Sequence, residues 1–205
     1  MTISGASRAR LLALLRQKSV CYGDFVLASG ARSTYYVDCK LTTLDPCGAI
    51  LAGEVMYSLI KDYAQRQKKR LDAVGGLTMG ADPLALAIGI HSAGINPSHP
   101  LQVFSVRKSP KTHGQHKLIE GNFQAGNHVV VIDDVVTRGE STLKAIDAVE
   151  QSGGLVEFVA VLVDREEGGR QKIEDRGYPV VSVYQRAEVF TENVTRVSAA
   201  ACATA

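Results

Sequence analysis

The feature that most constrains this chain is the run Val129-Val130-Val131-Ile132-Asp133-Asp134, in which four apolar β-formers end in two adjacent carboxylates. An uninterrupted apolar strand is buried on both faces, the habit of a parallel sheet covered by helices. Successive strand residues point to opposite faces, so at most one of the two aspartates belongs to the core. Burying both without partners would be costly. The continuation, Val135-Val136-Thr137-Arg138-Gly139-Glu140-Ser141-Thr142, is a small-residue loop running into a helix predicted over Glu140–Gln151, with Gly153 past its end.

The rest of the chain repeats strand, loop and helix in that order. The opening MTISGASRARLLALLRQ reads as an amphipathic helix, and Asp24–Lys40 as a hairpin of two β-prone runs flanking Ser29-Gly30. Asp45-Pro46 gives an N-cap and first-turn proline to a helix whose apolar residues recur from Ile50 to Tyr63. Leu71–Val74 reads as a strand, Gly75-Gly76 as a turn, and Asp82-Pro83 as the start of a helix reaching toward Ile90. Leu101–Val106, Leu155–Val163 and Val180–Tyr184 are further strands, while Ser109–Gly121 lacks periodicity and reads as a long loop. Such alternation predicts an α/β fold, a mostly parallel sheet flanked by helices, with the binding site along the carboxyl ends of the strands. Residues 1–40 form the opening helix and a small flap, and 41–205 the core, within one structural domain.

Bulk properties exclude more than they assert. With 45% apolar and 21% charged residues and a net charge of +2, the chain shows no acidic or basic block that would mark a disordered tail and no field suited to nucleic acid as its main partner. No stretch reaches membrane-spanning length and the N-terminus lacks a small-residue cleavage site, so a cytoplasmic location without membrane contact is expected. Cys21, Cys39, Cys47 and Cys202 lack metal-site spacing and are expected to be reduced, structural thiols. No metal ligands are assigned.

Four segments carry chemistry. Carboxylates such as Asp133 and Asp134 accept charge-assisted hydrogen bonds from vicinal ribose hydroxyls. Thr137, Gly139, Ser141 and Thr142 place N–H groups and hydroxyls at a helix N-terminus, a site for phosphate. Acid pair and cradle together describe a ribose 5-phosphate, whereas an isolated Asp-Asp pair would merely cap the next helix. Arg107, Lys108, Lys111 and His113 concentrate cations in one loop, able to stabilise an anionic leaving group, although composition alone allows an exposed basic loop. Tyr35 and Tyr36 read physically as half-buried strand residues. Arg165, just past a strand on the same sheet edge, could pair with a ligand carboxylate or with neighbouring Glu166 or Glu167.

Taken whole, Val129–Thr142 resembles the signature of type I phosphoribosyltransferases, in which the two acids hold the ribose hydroxyls of phosphoribosyl pyrophosphate (PRPP) and the loop holds its 5-phosphate. Arg107-Lys108-Ser109-Pro110-Lys111-Thr112-His113-Gly114 resembles the catalytic loop of orotate phosphoribosyltransferases, Ser29–Val37 the N-terminal hood of those enzymes, and Asp164-Arg165-Glu166-Glu167-Gly168 their orotate-binding arginine segment. The resemblance implies PRPP contacts from Arg107, Lys108, Lys111, His113, Asp133, Asp134, Val135, Val136, Thr137, Arg138, Gly139, Glu140 and Ser141, and orotate contacts from Tyr36, Val37, Thr137 and Arg165. It implies catalytic roles for Lys111, His113, Asp133 and Asp134, Mg²⁺ arriving mainly with the pyrophosphate, and a homodimer whose catalytic loop reaches the neighbouring subunit. Two positions depart from it: Ala28 stands where many relatives have lysine, and Gly80, in Gly76–Pro83, replaces a second pyrophosphate-loop lysine. Orotidine 5′-monophosphate synthesis on the route to UMP is the implied activity. Transfer to another base, and a non-catalytic ligand-sensing regulator, are the competing readings. The length leaves no room for a second, decarboxylating domain.

Overall fold

The computed structural model describes residues 4–26, 32–109 and 117–190. Helix α1 (Gly5–Leu14) starts at Ser4, whose hydroxyl accepts from Ser7 N at 3.4 Å, and runs into a π-helical turn, Leu15–Ser19. Leu11 and Leu15, one turn apart, bury its apolar side. Strands β1 (Val20–Val26) and β2 (Arg32–Val37) pair antiparallel as a separate two-stranded sheet, as the hairpin pattern predicts. After the short α2 (Lys40–Thr43), the Asp45 carboxylate caps α3 (Pro46–Arg66) by accepting from Gly48 N at 2.9 Å.

The remaining elements are β3 (Ala73–Leu77), α4 (Ala81–Ile95), β4 (Gln102–Val106), β5 (Ile119–Gly121), β6 (His128–Val136), α5 (Glu140–Gln151), β7 (Leu155–Asp164), α6 (Gly169–Asp175), β8 (Val180–Gln185) and α7 (Arg186–Val189). The main sheet has the order β5-β4-β3-β6-β7-β8, parallel throughout except at β4–β5. Along β6, Val130 and Ile132 join the core under α1, α3 and α4, while Val129 and Val131 join the core under α5. This two-sided burial explains the unbroken apolar run, each such side chain contributing about 1.5–3 kcal/mol. Among the described residues, no helix is long and apolar enough to cross a membrane.

Three expectations need correction. Gly75 and Gly76 lie inside β3 rather than in a turn. A Cβ on Gly75 would strike Phe104 of β4, and one on Gly76 would strike the Ile132 carbonyl of β6, so glycine here reflects a crowded strand. The stretch expected to be all loop contains β5, a three-residue strand that sequence periodicity cannot reveal at that length. Cys39 and Cys47 are free thiols, but Cys21 is disulfide-bonded, a pairing that chain spacing does not encode.

Candidate active site

The chain leaves β3 toward β4 on one side and returns through β6 on the other, so the sheet reverses direction between β3 and β6. A crevice at the carboxyl ends of the strands on either side of such a reversal is where open α/β sheets bind ligands. Strand β6 is longer than its apolar run: it carries Asp133 and Asp134 within its hydrogen-bonded register and ends at Val136. Asp133 faces inward at 5% exposure, and its Oδ2 accepts from Ser141 Oγ at 2.7 Å and Thr142 Oγ1 at 2.9 Å. Those hydroxyls stand in the first turn of α5, so the first acid fastens strand to helix.

Asp134 points the other way, against Gly80, where a Cβ would run into its carboxylate. Burial raises the pKa of both acids. For Asp133 the Ser141 and Thr142 hydrogen bonds oppose that rise, whereas for Asp134 the neighbouring Asp133 charge adds to it and pushes the value up to about 7. Lys40 is the nearby cation. Its ammonium lies 2.6 Å from Asp38 Oδ1. Burial alone would lower its pKa, but the Asp38 hydrogen bond and the charges of Asp38 and Asp134 hold it above the ordinary value.

Between β6 and α5, Gly139 takes φ +80°, a left-handed conformation that favours glycine, and α5 begins there without a side-chain cap. Its first N–H groups are therefore presented to an anion. Glu140, in the same turn, extends to within 3.6 Å of Lys172. Arg138 is exposed and Thr137 and Ser141 are half-buried, whereas Val136 is buried in the core. The Val135 N–H donates to Asp134 Oδ1, and the Val136 carbonyl accepts from Arg165 N. Gly169 supports the loop from behind by donating its N–H to the Thr137 carbonyl at 2.9 Å, a contact that the sequence motif does not reveal.

Arg107 and Lys108 follow β4, with Arg107 Nη1 3.6 Å from Glu120 Oε1. Together with Thr78, Asp82, Ser105 and Glu120 they line a cleft of about 330 Å³ beside the β3–α4 loop. Asp82 accepts from Thr78 Oγ1 at 2.7 Å and from Ser105 Oγ, which ties that loop to β4. Lys111 and His113 lie outside the described residues, as does Ala28.

On the other flank, Arg165 follows β7 directly and is only 6% exposed. Its guanidinium carbon stands 5.1 Å from the centre of the Tyr35 ring, with Arg186 at 5.4 Å from the same ring and Phe190 packed on it at 4.1 Å. The hood thus reaches the sheet edge through Tyr35. Tyr36, 41% exposed, lies on the open side of the hairpin near Phe25, and Val37 turns inward. Arg186 and Phe190 carry no site signal in the sequence, and Tyr35 is set apart there only by the hood pattern, because an aromatic-cation stack between distant segments leaves no spacing signal.

An acid pair at a strand end, an uncapped helix N-terminus beside it and, across the sheet reversal, a cleft in which Arg107 and Lys108 stand among Asp82 and Glu120 fit a type I phosphoribosyltransferase. No known family model matches the chain. Curated relatives do: it is 44% identical over 186 residues to the orotate phosphoribosyltransferase of Aquifex aeolicus, covering 89% of this chain and 97% of that one. The enzyme of Rhodopseudomonas palustris is 42% identical over 187 residues, covering 89% and 96%. Among solved structures, Mycobacterium tuberculosis orotate phosphoribosyltransferase with inorganic phosphate superposes with a TM-score of 0.75 at 38% identity, covering 90% of this chain and 99% of that one. The same enzyme in complex with PRPP gives 0.71 at 34%, covering 92% and 94%. The chain belongs to the orotate phosphoribosyltransferase family.

Proposed function

We propose that this protein transfers the ribose 5-phosphate of PRPP to N1 of orotate, releasing pyrophosphate and forming orotidine 5′-monophosphate for UMP synthesis. The observation that carries this reading is the placement of Asp133–Asp134, the uncapped start of α5 and the buried Arg165 at the ends of two adjacent strands, β6 and β7. Orotate bears a carboxylate that purines and uracil lack, and a buried guanidinium is suited to bind it. This favours orotate over another base.

In the reaction the C1–oxygen bond to pyrophosphate breaks and the C1–N1 bond to the base forms, through a ribose with oxocarbenium character, while the N1 proton leaves to the departing pyrophosphate. Asp133 and Asp134 hold the ribose hydroxyls, and Thr137–Ser141 hold the 5-phosphate, with Val135 and Val136 fixing the loop through their backbone. Arg107 and Lys108, with Lys111 and His113, meet the pyrophosphate as its charge grows. Tyr36, Val37 and Thr137 bound the base. Residues 1–40 supply the N-terminal helix and the hood, and 41–205 the phosphoribosyltransferase core.

Magnesium suits an oxygen-rich site of this kind, keeping waters and substrate oxygens as ligands. Among the described residues there is no group of three or more His, Cys, Asp or Glu side chains able to hold a metal. Pyrophosphate oxygens would hold the ion, and when bound it would offset leaving-group charge.

A homodimer is supported by the exposed Leu44, Ile50, Leu86 and Ile90, which lie on α3, on α4 and at the end of α2. A multiply charged donor does not cross a bilayer unaided, so we place the reaction in the cytoplasm. There the Cys21 disulfide would tend to be reduced, and a thiol count on protein isolated from cells tests the placement. Neither a membrane nor nucleic acid is assigned as a partner.

The test of function is loss of orotate absorbance in the presence of PRPP and Mg²⁺. No loss, with ligand binding intact, would favour a sensing regulator. Loop sharing is tested by mixing Lys111→Ala with Asp134→Asn protein. If the loop acts across the dimer, each mixed dimer regains one intact site, whereas loops acting within their own subunit leave the mixture inactive.

A further inference from the structure

The buried guanidinium of Arg165 already has a carboxylate. Glu167 Oε1 stands 2.8 Å from Arg165 Nη2, and among the described residues Glu167 is the one acid paired with it. The chain reaches this contact by a tight reversal. Asp164 Oδ1 accepts from Glu166 N at 2.9 Å, Glu166 takes φ +56°, and Gly168 follows at +87°. A non-glycine residue in that region is strained by about 1 kcal/mol. The turn thus spends conformational strain on folding Glu167 back over Arg165. The arrangement is incomplete, because Arg165 Nε is buried without a hydrogen-bond partner. Glu167 is also the more accessible member, its side chain 30% exposed against 7% for Arg165.

We propose that Glu167 is a displaceable internal carboxylate: it neutralises Arg165 in the free protein, and the carboxylate of the base takes its place on binding. The inference rests on the assignment of Arg165 to the base. A guanidinium this deeply buried needs a counter-charge in every state, since leaving it alone is strongly unfavourable. Exchange of one carboxylate for another keeps it neutralised, and Glu167 can swing to solvent because its side chain is partly exposed. A base without a carboxylate has nothing to offer in exchange and must bind against a closed pair. Glu167 therefore weakens orotate binding by competing with it, and in return selects for acids.

The test compares Glu167→Gln and Arg165→Ala with the parent by steady-state kinetics in orotate and in PRPP, and by calorimetric titration with orotate. Glu167→Gln keeps the side-chain size and removes the competing charge. Its KM for orotate should fall about two- to fivefold, the range of a partly exposed ion pair, with kcat and the KM for PRPP unchanged. Glu167→Ala should show the same direction and serves as the check should the glutamine variant be unstable. An unchanged or raised KM for orotate in both variants would overturn the exchange, showing that Glu167 has no influence on Arg165 or holds it in place for the base. Retention of orotate affinity by Arg165→Ala would instead overturn the assignment of Arg165, a separate outcome.

Discussion

Replacing Asp134 by Asn should stabilise the ligand-free protein at neutral pH while abolishing most of its activity. The carboxyl pKa stands at about 7 instead of 3.8, because burial and the adjacent Asp133 disfavour the anion. A tenfold change in ionisation is worth about 1.4 kcal/mol. Ionising Asp134 in the fold therefore costs up to about 4 kcal/mol more than in the open chain at pH above 7. Water entering the crevice reduces this, and a gain of about 1–3 kcal/mol is expected for the amide. For a chain of this size that corresponds to a rise in Tm of about 2–10 °C. The sign fixes the pH window: a raised carboxyl pKa gives stability that is full below pH 4 and lost as pH climbs through 7. The advantage of Asp134→Asn should therefore be present at pH 8 and absent at pH 4, as read by scanning calorimetry without ligand. An equal advantage at both pH values, or none at pH 8, would refute the argument. Ribose hydroxyls donate to the ionised form, so the same logic makes PRPP bind more tightly as pH rises from 6 to 8.

Gly80→Ala should lower kcat/KM for PRPP at least about tenfold with little change in Tm, since its Cβ would displace the Asp134 carboxylate in an open crevice. Gly139→Ala should cost about 1–2 kcal/mol of stability, measured by denaturant unfolding, because φ +80° is strained for alanine. It should also raise the KM for PRPP, as the loop shifts off the 5-phosphate. Near the amino ends of β6 and β7, burial alone would raise the pKa of Glu157, but hydrogen bonds from Lys69 and His128 outweigh it and the net direction is downward. The stability this gives is present at neutral pH and lost as pH falls through the acid range. Glu157→Gln should therefore lower Tm at pH 7 but hardly at pH 4, with activity at pH 7 unchanged.

Much of the fold was legible because it rests on local rules. The Asp45-Pro46 start of α3, the two-sided apolar run of β6 and the Gly153 stop after α5 each follow from the residue and its immediate neighbours. Gly75-Gly76 misled for the opposite reason: glycine marks turns locally, but here it answers crowding from Phe104 and Ile132, which are remote in sequence. The donor half of the site was equally local, since acid pair and helix start lie in one segment. The acceptor half was not. Tyr35, Arg165, Arg186 and Phe190 meet across more than 150 residues of chain, and only the topology puts them at one sheet edge.

The meaning of Gly80 also changes with the structure. By resemblance it stands where a second pyrophosphate-loop lysine is expected. In the fold it lies so close to Asp134 that any side chain starting along its Cβ would collide with the carboxylate. A lysine at this position would have to push the Asp134 carboxylate aside, while the β3–α4 loop is held by Asp82 through Thr78 and Ser105. Around this crevice most charges are already answered from within: Arg165 by Glu167, Arg107 by Glu120, Lys40 by Asp38, and Asp133 by two hydroxyls. Substrate binding there is an exchange of partners. Asp134 stands apart, its pKa raised to about 7 by burial and by the charge of the neighbouring Asp133. Binding of the ribose should therefore release a proton from this one group, and calorimetric titration of PRPP in buffers of different ionisation enthalpy at pH 6.5 would detect it. A smaller buffer dependence in Asp134→Asn, with that of Glu167→Gln unchanged, is the result this reasoning requires.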